Sequence, residues 1–204
     1  MRYLTICLIV LGLTNCTKDR EFDDIQLSIN GDLSVLHHWH FNNAIDINDL
    51  LVADYSVDFA FIEVEAIRWD EDDDGTELNL LDGFEAGNVL RIRNPSQHID
   101  LVFPTIGYES IFLSFATRRT NNGAQKQHIS YAIDGNSFTE MGIEEVTKDI
   151  QTEWHVHTFD LSHLPSFNNR NEVRIRIRFS EGNNGDSGNN RFDNISILGS
   201  PITE

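Results

Sequence analysis

The sequence predicts an all-β protein, an antiparallel β-sandwich of jelly-roll type. Three observations predict it. Period-two alternation of apolar and polar residues runs through most of the chain, while apolar residues at helical spacing are scarce. Clusters of Asn, Gly and Asp separate the alternating runs. Hydrophobic residues make up 40% of the 204 residues, enough for a core. Many short strands divided by turns are the pattern of a sandwich rather than of a sheet covered by helices.

The elements follow in chain order. Residues 1–15 open with Met1-Arg2 and an apolar stretch over 3–13, too short to cross a bilayer, which needs about 20 residues. This is the pattern of a signal peptide. Residues 16–32 are polar and acidic and read as a tether. The folded domain is expected over 33–200. The opening strand is Leu36-His37-His38-Trp39-His40-Phe41. Val89-Leu90-Arg91-Ile92-Arg93 alternates next. Residues 111–116, IFLSFA, are apolar on both faces and suit a central strand. Residues 128–133 lead into Asp134-Gly135, whose residue types tolerate positive φ and signal a hairpin. Residues 142–149 carry the best local helix propensity and allow one short helical turn. Residues 154–159 and 194–198 are further strands. Over residues 172–179, Val173, Ile175, Ile177 and Phe179 fall on one face, with Arg174, Arg176 and Arg178 on the other. The Gly/Asn-rich stretch 182–190 is expected to be a long loop at one end of the sandwich.

Composition narrows the function classes. There are 33 acidic and 15 basic residues, a formal charge of -18, so no net basic field favours a nucleic-acid partner. Two cysteines, Cys7 and Cys16, exclude a disulfide framework and a four-cysteine zinc site. No G-x-S-x-G elbow and no nucleotide-type glycine loop are present. Carboxylates are plentiful, but none sits in a recognised catalytic frame, so the chain is not expected to be an enzyme.

Several residues are candidates for binding. Asp70, Asp72 and Asp74 alternate before Gly75, which can bring oxygens together on a hard cation such as calcium; the position that an EF-hand loop gives to Glu is Leu81 here. Asp193 shares a strand side with Ile195 and Ile197 by period two. A carboxylate there needs a cation, an arginine or backbone N–H groups. Two histidine pairs, His38 with His40 and His155 with His157, have the i, i+2 spacing that puts both rings on one face. Such pairs can hold a transition metal, but no suitably placed Glu follows His157, and solvent-facing imidazoles are expected. The arginine stripe is expected to pair with the abundant Asp and Glu, with a face for acidic glycans as the other reading. Trp69 is the best candidate for an exposed sugar-stacking platform, whereas Trp39 and Trp154 sit in apolar strands and are expected in the core. Asn183, Asn184, Asn189 and Asn190 offer paired donors and acceptors that match vicinal hydroxyls.

Three resemblances add to this reading. Leu13-Thr14-Asn15-Cys16 resembles a bacterial lipobox, and Lys18-Asp19-Arg20-Glu21 resembles the signal that takes lipoproteins of Bacteroidetes-type bacteria to the outer surface. These imply lipidation of Cys16 and a surface-exposed outer-membrane protein of the cell envelope, held to the membrane by its lipid. The strings Leu36-His37-His38-Trp39-His40-Phe41-Asn42, Leu90-Arg91-Ile92-Arg93-Asn94-Pro95, Pro104-Thr105-Ile106-Gly107-Tyr108, Arg118-Arg119-Thr120, Ile129-Ser130-Tyr131 and Gly188-Asn189-Asn190-Arg191-Phe192-Asp193-Asn194 resemble domains of secreted Bacteroidetes proteins. Those are jelly rolls similar to galactose-binding-like carbohydrate-binding modules. The resemblance implies a non-catalytic module for glycan, or a structural subunit docking another cell-surface protein. It also implies a structural calcium at Asp193, with Asn42 and Glu85 as further oxygen donors.

Overall fold

The computed structural model describes residues 33–43, 49–81 and 83–203. Residues 1–32, with Cys16 and the expectations for leader and tether, lie outside them. Ten strands are present among the described residues: β1 (Ser34–Trp39), β2 (Tyr55–Ser56), β3 (Phe61–Asp72), β4 (Val89–Phe103), β5 (Tyr108–Arg119), β6 (Lys126–Ile133), β7 (Thr147–Asp149), β8 (His155–Asp160), β9 (Val173–Ser180) and β10 (Asn189–Pro201). Two single-turn 3-10 helices, Asp49–Leu51 and Pro165–Phe167, are the helical content of the described residues. The expected turn over 142–149 is not helical, and its last residues form β7, paired with β6.

All strand pairs are antiparallel, and they form two layers. The first layer runs β3-β4-β9-β6-β7 and the second β2-β1-β10-β5-β8. A corner joins them where the start of β4 pairs with the start of β10, Leu90 opposite Phe192 and Arg93 opposite Asn189. Beyond Arg93, β4 leaves β10 and takes β9 as its neighbour, with His98 opposite Arg178.

The core lies between the layers, filled by the strand faces that alternation marks out. Val173, Ile175, Ile177 and Phe179 are buried on β9 while Arg174, Arg176 and Arg178 face outward. Trp39, Phe103, Phe115, Phe167 and Phe192 are fully buried, and Phe115 packs against both Phe159 and Phe192. β5 is apolar on both faces and central in its layer, between β10 and β8. The turn after β6 is wider than the Asp134-Gly135 signal alone implies. Tyr131 and Thr139 close it by two backbone hydrogen bonds, and both turn residues have positive φ.

Candidate functional site

The acidic segment is not a free loop. Asp70 and Asp72 lie within β3, opposite Arg91 and Val89 of β4. Asp70 accepts from Arg91 and Arg93, Asp72 pairs with Arg91 and Arg191, and Asp74 with Arg118 and Arg191. The arginines hold Asp70 below the usual carboxylate range in spite of its partial burial. Each carboxylate therefore faces guanidinium groups of the neighbouring strands, and the alternation that could serve a cation serves cross-strand pairing.

Asp193 is buried, but not on the side that period two predicts. The pairing of β10 with β5 shifts between Asp193 and Ser196, and Asn194 has positive φ. This bulge turns Asp193 away from Ile195 and Ile197, which face the core. Its carboxylate accepts the main-chain N–H of Thr76 and of Asn194, each at 2.8 Å. Asn194 Nδ2 donates to the main-chain oxygens of Thr76 and Leu78. Asn79 is linked to Asn194 and Ser114. The segment after β3 is thus clasped over the outer side of the second layer, above a buried polar row of His38, Ser114 and Ser196. Asn42 spends its amide on the same segment, donating to the Glu85 main-chain oxygen and accepting from Asn88 N–H. A Cβ on Gly87 would collide with Asn42 Oδ1, which explains glycine there. The Glu85 side chain is exposed.

Burial pushes the His38 imidazole down to about 4, with His40 beside it adding to the shift. The unfolded chain takes up this proton near 6.5, before the folded chain does. The stability that neutral His38 contributes is complete above pH 6.5 and is lost as pH falls toward 4. Burial pushes Asp193 up to about 7, so its contribution has the opposite sign and grows as pH falls from there. Comparison of variants separates the two. A His38→Asn chain should lose less stability than the unaltered chain between pH 6.5 and 4. Urea midpoints at both pH values measure it, and an equal loss in both chains would exclude His38 as the titrating group.

The loop asparagines divide into two kinds. Asn190 is fully buried and exchanges hydrogen bonds with the main chain of Ala124, so it does not lie on the rim. Asn189 is half-buried in β10, its backbone bonded to Thr120. These two hold the corner together. Asn183 and Asn184, in contrast, line a cleft of about 380 Å3 with Glu65, Ala66, Ile67, Pro95, Ser96 and Gln97. Asn183 is tied to Ser96 by two hydrogen bonds, one from its side chain and one to its main-chain oxygen. Glu65, Gln97 and Asn184 are exposed, and Ile67 is 74% exposed at its edge. Trp69 is no exposed platform: it lies opposite buried Ile92 and packs against the core. Trp39 is in the core as expected, while Trp154 is half-buried beneath the Arg118 guanidinium.

The arginine stripe behaves largely as expected. Arg174 pairs with Glu63 and Glu172, and Arg176 grips Asp100. Arg178 is exposed, level with His98 and His128, and has no ion pair among the described residues. His128 spends both ring nitrogens on the hydroxyls of Thr147 and Ser180. Among the described residues, no three His, Cys, Asp or Glu side chains form a metal-binding group.

The cleft residues Glu65, Ile67, Pro95, Ser96 and Gln97 escape sequence reasoning. The available signal was Asn94-Pro95-Ser96 interrupting an otherwise alternating strand.

No family model matches the chain. No curated protein matches it either. Among solved structures, it is similar to the CBM22-1 xylan-binding domain from Paenibacillus barcinonensis, with 6% identity and a TM-score of 0.46 over 85% of this chain and 97% of that one. A CBM4 structure is similar at 13% identity and a TM-score of 0.45, covering 80% of this chain and 97% of the other. An exo-β-agarase is similar at 10% identity and a TM-score of 0.48, where 83% of this chain spans a quarter (25%) of that one. At such identities and TM-scores the functional reading rests on this chain's own surface.

Proposed function

We propose that the chain is a non-catalytic glycan-binding module, held to the outer membrane by lipid on Cys16 and exposed at the cell surface. The observation that carries the binding role is the cleft between β3, the interrupted part of β4 and the loop before β10. It combines exposed amides (Gln97 and Asn184) and a carboxylate (Glu65) with exposed apolar surface from Ile67. Sugars present the complementary pair, vicinal hydroxyls at the edge and C–H groups on the face. Glu65 lines the cleft and can accept hydrogen bonds from sugar hydroxyls.

A glycan array with residues 33–204 fused to a reporter tests this. Asn184→Ala combined with Ile67→Ser should weaken any binding found by tenfold or more and leave the melting temperature unchanged. Binding that survives this double change, or that is carried by Arg178, would place the site elsewhere. A second reading, docking to another cell-surface protein, draws on Phe59. It is 64% exposed and packed on Phe61, with Val52 paired to Phe61 beside it. Phe59→Ser that abolishes a partner interaction, with a blank array, favours that reading. For the anchor, labelled palmitate should enter the unaltered protein and not Cys16→Ser.

Calcium is a separate proposal. At Asp193 and Asn42 the oxygens are already taken by N–H groups, and at Asp70, Asp72 and Asp74 by arginines. The arrangement does not fit calcium without rearrangement, so the expected result is no rise in Tm at millimolar calcium. A rise reversed by EDTA would overturn this and restore a structural calcium, through its mass-action effect on the native state.

A further inference from the structure

Two imidazoles on β8 point their Nε2 atoms at one another. His155 Nε2 and His157 Nε2 are 3.0 Å apart. The hydrogen bonds at the opposite nitrogens decide where the protons are. His155 Nδ1 lies 3.1 Å from the main-chain oxygen of Glu153, which can only accept, so this Nδ1 carries the proton. For His157 the argument runs through Gln127. Thr117 Oγ1 donates its proton to the Arg191 main-chain oxygen, and so accepts from Gln127 Nε2. That turns Gln127 Oε1 toward His157 Nδ1, at 2.8 Å. An amide oxygen can only accept, so His157 Nδ1 also carries its proton.

Both rings are therefore Nδ1–H tautomers, and both Nε2 atoms present bare lone pairs. A third donor of electrons, the Asp149 main-chain oxygen, lies 3.3 Å from His157 Nε2. Three lone-pair donors in this arrangement repel one another unless a positive centre sits between them. A metal ion meets the distances. Two nitrogens about 2.0–2.1 Å from one ion, at an angle of roughly 90–109°, stand about 2.8–3.4 Å apart.

We propose that His155 Nε2, His157 Nε2 and the Asp149 main-chain oxygen bind a divalent transition-metal ion of the Zn2+, Cu2+ or Ni2+ type. Imidazole nitrogen selects these ions over calcium or magnesium. Gln127 and the Glu153 carbonyl orient the rings by accepting their outer protons, the usual role of the groups behind a metal-bound histidine. β8 pairs with β5 on one side, and His155 is half-buried, so the ion reaches the pair from solvent. Lys148 opposes the ion's charge but is bridged to Glu145, and the exposed carboxylates of Asp149 and Glu153 flank the site in sequence. With two side-chain ligands, the ion keeps open positions for water or an outside ligand. The inference stands whether or not the glycan reading holds.

Titration of the metal-free full chain with Zn2+ alone, by calorimetry, tests it. One ion per chain is expected, with binding at least tenfold weaker in His155→Ala. Cu2+ should also quench the fluorescence of neighbouring Trp154, and less so in that variant. Absence of saturable one-to-one binding overturns the proposal. So does equal affinity in His155→Ala, which would move the ion to another site. Imidazole nitrogen NMR on the unaltered chain decides the matter should the variant fail to fold. Movement of both Nε2 resonances with Zn2+ supports the site, and unmoved resonances overturn it.

Discussion

Arg176→Ala should destabilise the domain by about 3 kcal/mol, the low end of the range for stripping one partner from a buried ion pair. The pair joins β9 to β4 by two parallel hydrogen bonds, Nε and Nη2 of Arg176 to the two oxygens of Asp100, both at 2.7 Å. Asp100 is 3% exposed, so the change leaves a carboxylate with little access to water. The low end applies because the Arg176 side chain is 30% exposed and water can partly replace it. Phe138 lies over the guanidinium, 3.9 Å from ring centroid to carbon, and loses its cationic partner as well. The urea midpoint should fall by roughly 1–2 M at unchanged slope. Pairing Asp100→Leu with Arg176→Met should recover most of the loss, because apolar groups of similar volume need no compensating charge. A single variant within about 0.5 kcal/mol of the unaltered chain would mean that the pair contributes only as an exposed surface pair does. Cleft binding should survive in the double variant, since neither residue lines the cleft.

The same two strands show what the sequence makes legible. β9 is readable because one face meets the core and the other meets water, so alternation maps directly onto burial. The arginines' partners were predictable as a class, since so acidic a chain offers carboxylates across most strand pairs; the individual pairing of Arg176 with Asp100 required the register. Asp193 was misplaced for a specific reason. Period two assumes an unbroken strand, and one bulge at Asn194 reverses the side of every residue before it. Asn190 was misassigned because an amide that can grip a sugar can equally grip main chain, here the N–H and C=O of Ala124, and composition does not distinguish these. Trp69 sits next to charged residues in sequence, but its face of β3 is the core face. The cleft depends on residues far apart in sequence, from Glu65 to Asn184, which come together only because β4 changes neighbours at Asn94.

Asn94→Asp should be the most damaging conservative change in the domain. Asn94 is fully buried at the point where β4 leaves β10. Its Nδ2 faces three main-chain oxygens, those of Asn122 at 2.7 Å, Gly182 at 2.8 Å and Ser187 at 3.0 Å. Its own N–H donates to Gly188. One amide thus ties the turn after β5 to both ends of the loop that carries Asn183 and Asn184. Asn94→Ala removes the donor and leaves those oxygens to whatever water enters the space, a loss of about 2–3 kcal/mol. Asn94→Asp is nearly isosteric, yet it sets an acceptor, charged near neutral pH, against the same three oxygens, so the loss should exceed that of alanine. The sign of the pH response distinguishes the electrostatic cause from a packing defect. A carboxyl in this position has its pKa raised by burial and by the carbonyls. The folded variant therefore holds its proton to higher pH than the unfolded one, and its stability falls as pH rises through the raised value. Measured against Asn94→Ala, Asn94→Asp should recover stability toward acid, because the protonated carboxyl again offers one donor. Amide exchange over residues 182–188 should quicken in both variants at neutral pH, and cleft binding should weaken with it, because Asn183 is positioned by the same loop. If Asn94→Asp is as stable as the unaltered chain at pH 7, the three contacts do not hold the loop, and the cleft must owe its shape to Asn183 and Ser96 alone.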